Sequence, residues 1–339
     1  MKPRHLALAP VLALSLLHPA AGARLTNLQV DTADGKRSLI LAQPDAVSAG
    51  PHPLVLVLHG HGGTAENALG RGFRPSPLSA WLAIVDREDV IVAAMQGATD
   101  GDGKPGWNDC RGDAPGNPKT DDVGFARAVV QEVARRGLLD ETRVYAMGMS
   151  NGAMMAQRLA IELDPPIAGF AAVAGTLGDR GPCGRPHHKV SALLINGDHD
   201  PLVPYDGGDV HFFDRKRGHV LSVEANVAFW LRADGIESRA VEDTLPKEAG
   251  TGDPTRAVRS LYGSPADAPQ VELIRIEGGG HVEPSLRYHY GPVYAHIVGE
   301  QNRDFESAEE AWRFLRTKRA RPLSGHNAKS PVRRLGFSL

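Results

Sequence analysis

Arg143-Val144-Tyr145-Ala146-Met147-Gly148-Met149-Ser150-Asn151-Gly152-Ala153-Met154-Met155-Ala156-Gln157-Arg158-Leu159-Ala160 is the stretch that organises the rest of the chain. Arg143 to Met147 reads as a strand buried on both faces, because its apolar run does not alternate. Asn151 to Leu163 reads as the helix that follows. Between them, glycines at 148 and 152 flank Ser150 at the spacing a sharp strand-to-helix turn requires. A side chain at either glycine would block that turn. The serine hydroxyl then stands clear of the sheet at a helix N-terminus, where developing negative charge is favoured.

Working outward, the same reading recurs. Pro53 to Leu58, Val90 to Ala94, Ile167 to Ala174, Ser191 to Ile195 and Val271 to Ile276 are further apolar runs of strand length. Helical patterns lie between them. In one, Phe125, Val129 and Val133 recur at i, i+4 and i+8, with Asp122 as the expected cap and an end near Gly137. Leu221 to Ala233 and Ser307 to Leu315 are two more. Strand-helix alternation predicts an α/β domain with a mainly parallel sheet and helices on both faces. Arg24 to Gln43 alternates polar and apolar residues, which predicts an antiparallel N-terminal edge. One domain, residues 24–316, accounts for the whole pattern.

The two ends read differently. Lys2 and Arg4 precede an apolar run from Leu6 to Leu17, and Ala21-Gly22-Ala23 supplies small residues for a cleavage site. Residues 1–23 are expected to be a secretory leader, which implies a secreted or periplasmic protein. Residues 317–339 carry Lys318, Arg319, Arg321, Lys329, Arg333 and Arg334 without an acid, and are expected to form a basic, disordered tail.

Composition narrows the function classes. Of 339 residues, 42% are hydrophobic and 23% charged, and 38 basic against 40 acidic side chains leave a net charge of −2. That balance gives no electrostatic basis for nucleic-acid binding. Beyond the leader there is no apolar stretch long enough for a membrane anchor. The only two cysteines, Cys110 and Cys183, cannot build a Cys-rich zinc site. Both follow expected strands, so both fall at one end of the sheet. In an oxidising compartment they are expected to pair, two free thiols being the alternative.

Two further regions complete a chemistry around Ser150. His59-Gly60-His61-Gly62-Gly63 follows the first buried strand. Acyl transfer needs two fixed N–H donors for a tetrahedral oxyanion. The N–H of Asn151 is one, and that of His61, with Gly62 as second choice, is the other. His59 and His61 could instead be read as metal ligands, but no nearby carboxylate or thiolate completes a set, so no metal and no cofactor are expected. Gly197-Asp198-His199-Asp200-Pro201 and Gly278-Gly279-Gly280-His281 follow the last two strands. The order Ser150, Asp200, His281 is that of an α/β-hydrolase triad. Asp198 is a rival acid, and Asp200 is preferred because it lies further beyond the strand end.

The motifs LVLHGHGG (56–63), GWND (106–109), DDVGF (121–125), RVYAMGMSNGAMMAQRLA (143–160), NGDHDPLVPY (196–205), GGGH (278–281) and NRDFESAEEAWRF (302–314) together resemble the polyhydroxybutyrate depolymerase and feruloyl esterase family of secreted α/β-hydrolases. The resemblance implies an α/β-hydrolase fold, serine esterase activity with Ser150, Asp200 and His281 as triad, and a role for Trp107 near the substrate. One departure stands out. Family members often continue the histidine segment as His-Thr-Trp-Pro-Gly, whereas here it is His281-Val282-Glu283-Pro284-Ser285, which alters the expected pocket wall.

The expected substrates are small or oligomeric esters with short-chain or aromatic acyl groups, such as 3-hydroxybutyrate oligomers or feruloyl esters. Trp107, Tyr205, Phe212 and Phe213 are candidate pocket aromatics, each equally readable as packing. The segment between Pro204 and Val220 is too charged to be a lipase-type lid. An acyltransferase with the same triad and a non-catalytic binding protein on the same fold are the alternative readings.

Overall fold

The computed structural model describes residues 22–320, apart from residues 47, 49, 73–75, 100–101, 213–214, 249–251 and 267. Nearly all of the expected leader, most of the basic tail, and Phe213 lie outside the described residues.

A hairpin of β1 (Arg24–Thr32) and β2 (Gly35–Gln43) is followed by β3 (His52–Leu58), the single-turn helix α1 (Ala65–Ala68), α2 (Trp81–Glu88) and β4 (Ile91–Met95). Two short strands, β5 (Ala98–Thr99) and β6 (Pro105–Gly106), pair with each other. Next come α3 (Asp122–Arg135), β7 (Leu139–Met149), α4 (Asn151–Glu162), β8 (Gly169–Val173) and β9 (Ser191–Gly197). A separate hairpin is made by β10 (Gly208–Phe212) and β11 (Arg215–Val220). The order ends with α5 (Val223–Asp234), β12 (Val241–Thr244), β13 (Arg256–Tyr262), β14 (Val271–Glu277), α6 (Pro292–Val298) and α7 (Ser307–Leu315).

One 10-stranded sheet carries the fold, in the order β1-β2-β4-β3-β7-β8-β9-β14-β13-β12. The strands from β4 to β14 in that order run parallel, and antiparallel pairs close both edges. The apolar runs of the sequence are these central strands. In β3, Leu54, Leu56 and Leu58 face α3, α4 and α5, packing with Val129, Leu159 and Trp230. Val55 and Val57 face the other way, toward Trp81 and Ile84 of α2 and Trp312 and Leu315 of α7. Each such side chain contributes about 1.5–3 kcal/mol on burial. Among the described residues no helix is long and apolar enough to cross a membrane.

The far edge, β13 and β12, escaped the sequence reading for a physical reason. β13 buries only Ala257 and Ser260, and every residue of β12 is exposed, so neither carries a continuous apolar run. The tail boundary also moves. Lys318 is buried, its carbonyl accepts from the Tyr145 hydroxyl at 2.8 Å, and Ala320 N–H donates to Thr142 O at 2.8 Å. Packing therefore continues to Ala320, four residues past the point where a tail was expected.

The cap of α3 is Asp121, whose carboxylate accepts from Gly124 N–H at 2.7 Å. Asp122, the residue expected to cap, lies one step inside the helix and points into the protein. It pairs with buried Arg37 at 2.8 Å and accepts from Asn108 N–H at 2.7 Å. Burial pushes its carboxyl pKa up, outweighing Arg37. The pair therefore fixes geometry more than it stabilises. Asp122→Ala strands the Arg37 charge and is expected to cost about 3 kcal/mol or more, against about 1 kcal/mol for Asp121→Ala, a lost cap. Urea unfolding of the two variants measures the difference.

Candidate active site

β7 ends at Met149, and Ser150 turns the chain into α4 with φ 55° and ψ −121°, a conformation rare for a residue with a side chain. Such a backbone costs of order 1–3 kcal/mol and persists only when its surroundings enforce it. Here Ser150 N–H donates to Val173 O on β8 at 2.8 Å. The flanking glycines leave no room. A Cβ on Gly148 would sit 2.2 Å from Gly152 O, and one on Gly152 would sit 2.2 Å from Leu58 O on β3. No side chain caps α4.

Three loops converge on the Ser150 hydroxyl. His281 Nε2 lies 2.9 Å from Ser150 Oγ, and His281 Nδ1 lies 2.7 Å from Asp200 Oδ2. The second carboxylate oxygen of Asp200 accepts from Leu202 and Val203 N–H, both at 2.8 Å. The ionised carboxylate accepts only, so the imidazole proton belongs on Nδ1 and Nε2 is left to accept from the hydroxyl. Asp198, the rival acid, is turned away: its Oδ1 lies 2.7 Å from His199 Nδ1 and accepts from Gly278 N–H at 2.7 Å. The glycines before His281 are needed for close packing. A Cβ on Gly280 would meet Val298 O at 2.1 Å. His281 N–H donates to Val298 O at 2.6 Å and Gly280 N–H to Glu300 O at 2.8 Å.

The loop after β3 flanks the same serine, and a Cβ on Gly60 would lie 3.6 Å from Ser150 Cβ. Gly62 N–H already donates to Pro105 O at 2.7 Å and Gly63 N–H to Gly60 O at 2.9 Å. Gly62 is thereby removed as an oxyanion donor, which favours the N–H groups of His61 and Asn151. His59 sits behind the loop. It accepts from Gly97 N–H through Nε2 at 3.0 Å, and its Nδ1 meets Gly60 O at 2.8 Å. Burial lowers its pKa to about 4, so it stays neutral. His61 extends its ring to Asp102 and Arg217, and burial followed by Arg217 lowers its pKa as well.

No protein-family model matches the chain. The protein named "Putative esterase NocK" of Nocardia uniformis subsp. tsuyamanensis is 35% identical over 306 residues, covering 88% of this chain and 84% of that one. The chain belongs to the same family of carboxylic ester hydrolases as this esterase. "Feruloyl esterase B" of Piromyces equi is 29% identical over 202 residues, 58% of this chain and 34% of that protein. "Feruloyl esterase C" of Emericella nidulans is 27% identical over 176 residues, 51% of this chain and 58% of that protein. The solved acetyl xylan esterase from Aspergillus awamori shares the fold, with a TM-score of 0.50 and 14% identity over 80% of this chain and 98% of that one. The fold is that of the α/β-hydrolases.

The aromatic candidates of this esterase fare differently from one another. Trp107 is fully buried, with Nε1 donating to His59 O at 2.8 Å and its ring 5.0 Å from that of His59. It presents no free face to a substrate, so the expected pocket role is corrected to one of support. Its backbone holds the Asn151 side chain, accepting from Nδ2 at 3.0 Å and donating to Oδ1 at 2.8 Å. The Tyr205 hydroxyl bonds Glu224, and burial followed by Glu224 pushes its pKa up. Phe212 is half-buried, with Lys104 Nζ 5.6 Å and Arg217 Cζ 5.9 Å from its ring centre. Cys110 and Cys183 form a disulfide with Cα atoms 5.4 Å apart.

Sequence reasoning gave no site role to Asp102, Asp109, Arg111, Arg217 or Glu283, all of them charged residues near the site. Asp109 had a signal in the GWND motif, and Glu283 in the departure of the histidine segment from the family pattern. Glu283 is buried and accepts from the Ser76 hydroxyl at 2.9 Å and the Tyr290 hydroxyl at 2.8 Å. Burial pushes its carboxyl pKa up despite both bonds. A carboxyl raised in the folded state holds its proton to higher pH than in the unfolded chain. Its contribution to stability is full at low pH and is lost as pH rises through the folded pKa. Glu283→Gln removes that loss, since both hydroxyls can reorient to an amide. The expected result is a melting-temperature gain over wild type that is larger at pH 8 than at pH 5, measured by thermal denaturation at both.

Proposed function

We propose that this esterase hydrolyses short-chain or aromatic carboxylic esters by acyl transfer through Ser150, His281 and Asp200. The observation that carries this reading is one imidazole held between a serine hydroxyl on a strained turn and a buried carboxylate. In the proposed cycle, Ser150 Oγ attacks the ester carbonyl while His281 Nε2 takes its proton. Asp200 keeps the imidazole in the working tautomer and stabilises its charged form. The N–H groups of His61 and Asn151 hold the oxyanion. The alcohol leaves with the proton from His281. Water then loses a proton to His281 as it attacks the acyl-enzyme, and the acid departs as Ser150 regains its hydrogen. The cycle calls on no metal or cofactor.

Substrate class follows from the surroundings of the site and from the relatives named as feruloyl esterases. The hairpin β10–β11 carries ion pairs of Lys216 with Asp209 and Arg217 with Asp102, and a charged hairpin is a poor cover for a long acyl chain. Feruloyl-type esters and 3-hydroxybutyrate oligomers are the proposed substrates, with the enzyme acting outside the cytoplasm. The disulfide supports that compartment, as does the leader-like start of the sequence.

Ser150→Ala is expected to lower kcat by roughly four to six orders of magnitude with the melting temperature unchanged. A fluorophosphonate should label wild type at Ser150 and leave the variant untouched. A folded variant keeping more than about 1% of the activity rejects Ser150 as nucleophile. For substrate class, nitrophenyl esters of two to sixteen carbons are assayed beside methyl ferulate. The expected optimum lies at short chains, and an optimum at twelve or more carbons with interfacial activation overturns that part.

A further inference from the structure

We propose that Arg217, on β11 and far in sequence from both His61 and Asn151, is a positioning residue that aligns both donors of the oxyanion hole. The inference rests on the acyl-transfer reading above and concerns how its oxyanion hole is kept in register.

Both proposed donors are the backbone N–H groups of residues whose side chains lead to Arg217. On one side, the Arg217 guanidinium donates through Nη2 to Asp102 Oδ2 at 2.7 Å, and its Nη1 lies 3.0 Å from His61 Nε2. The same Asp102 oxygen lies 2.9 Å from His61 Nε2. The His61 ring is thus held by a carboxylate and a guanidinium that also hold each other. On the other side, the Arg217 carbonyl accepts from Arg111 Nη1 at 2.5 Å. Arg111 is paired with Asp109, Nη2 to Oδ2 at 2.6 Å, and that Oδ2 accepts from Asn151 Nδ2 at 2.7 Å. One residue therefore terminates two hydrogen-bonded chains, and each chain ends on an oxyanion residue.

The surroundings make this connection stiff. The Arg111–Asp109 side chains are 4% and 0% exposed and the Arg217–Asp102 pair 13% and 11%. In that low-dielectric setting, charge-assisted bonds resist rotation. Cys110 lies between Asp109 and Arg111, and its disulfide fixes that segment to the loop after β8. The Arg217 guanidinium lies over Phe212, and a Cβ on Gly116 would come within 3.1 Å of Arg217 Nη1, so little space is left for it to swing. The hairpin also touches the acid loop, since His211 N–H donates to Leu202 O at 3.1 Å. Lys104 is the other cation facing His61. It donates its backbone N–H to Asp102 Oδ1 at 3.1 Å, and its Nζ lies 5.6 Å from the Phe212 ring centre.

Oxyanion stabilisation depends on donors preset to within about half an ångström, and removing one outright costs roughly 10²–10³ in kcat. Arg217→Met and Asp102→Asn loosen the His61 donor while the Arg217 carbonyl keeps its bond to Arg111, and this should cost roughly 10–100-fold in kcat, with ground-state binding spared.

The test uses Arg217→Met, which keeps an apolar stem over Phe212, Asp102→Asn, which keeps the shape, and the double variant. Each is measured for kcat, KM, melting temperature and inhibition by phenylboronic acid, whose tetrahedral serine adduct places an oxygen where the oxyanion forms. The expected result is a 10–100-fold fall in kcat with KM within about twofold and boronate affinity reduced by the same factor. The double variant should be no worse than the poorer single by more than about twofold, because both break one link. A raised KM with unchanged kcat would mean that Arg217 holds substrate directly and would overturn the proposal. So would unchanged kcat and boronate affinity, or losses that multiply in the double variant. If Arg217→Met fails to fold, Asp102→Asn decides by the same boronate measurement. Loss of activity in Ser150→Ala alongside an unaffected Arg217→Met would retire this inference and leave the acyl-transfer reading intact.

Discussion

The close approach of Gly152 to the end of β3 is the contact on which the rest of the site depends. With no Cβ at 152, the first turn of α4 rests against Leu58 O and His59 O. That contact sets the Ser150 turn beside the loop that begins at His59. The strained serine backbone and the neighbouring donor loop are thus two results of one packing event. Neither could be held by local preference, since a positive φ on serine is unfavourable. The energy comes from elsewhere, from a central sheet whose strands are covered on both faces.

The same logic explains how far the sequence could be read. Parallel central strands are covered on both faces, so β3, β4, β8, the end of β7 and the middle of β9 appear as apolar runs, and β14 as one broken by Glu272 and Arg275. The loops at their ends could be searched for Ser150, Asp200 and His281. The choice between Asp121 and Asp122 as helix cap was not legible, because adjacent acids look alike until one is turned inward onto Arg37. Trp107 stayed open between pocket and packing for a related reason. A tryptophan beside a glycine-rich loop has the same sequence signature whether it lines a pocket or backs one. Only its complete burial and its bond to His59 O separate the cases.

The charged residues around the donor loops were the least visible. Arg217 and Asp102 are 115 positions apart, and Arg111 meets the Arg217 carbonyl across 106. No periodicity links such pairs, and in sequence the β10–β11 segment reads as a solvated, charged stretch. The role proposed for Arg217 arises because it is turned inward, 13% exposed beside Phe212 and Arg111, while Lys216, ion-paired on the same hairpin, is 69% exposed. The position of Glu283 makes the same point. A carboxylate buried two residues past His281 looks disruptive until the Ser76 and Tyr290 hydroxyls are found facing it.

The tether of the His281 loop has a consequence for the life of the chain before it is folded. His281 N–H and Gly280 N–H are bonded to carbonyls at Val298 and Glu300, while the serine turn is completed by contacts to Leu58 and Val173. A chain emerging residue by residue from the ribosome therefore displays its serine long before the imidazole can be held in reach. On the proposed acyl-transfer reading it stays silent toward esters until nearly the whole domain has been made. The latency needs no inhibitor and no propeptide. It is built into the order in which a parallel sheet receives its strands.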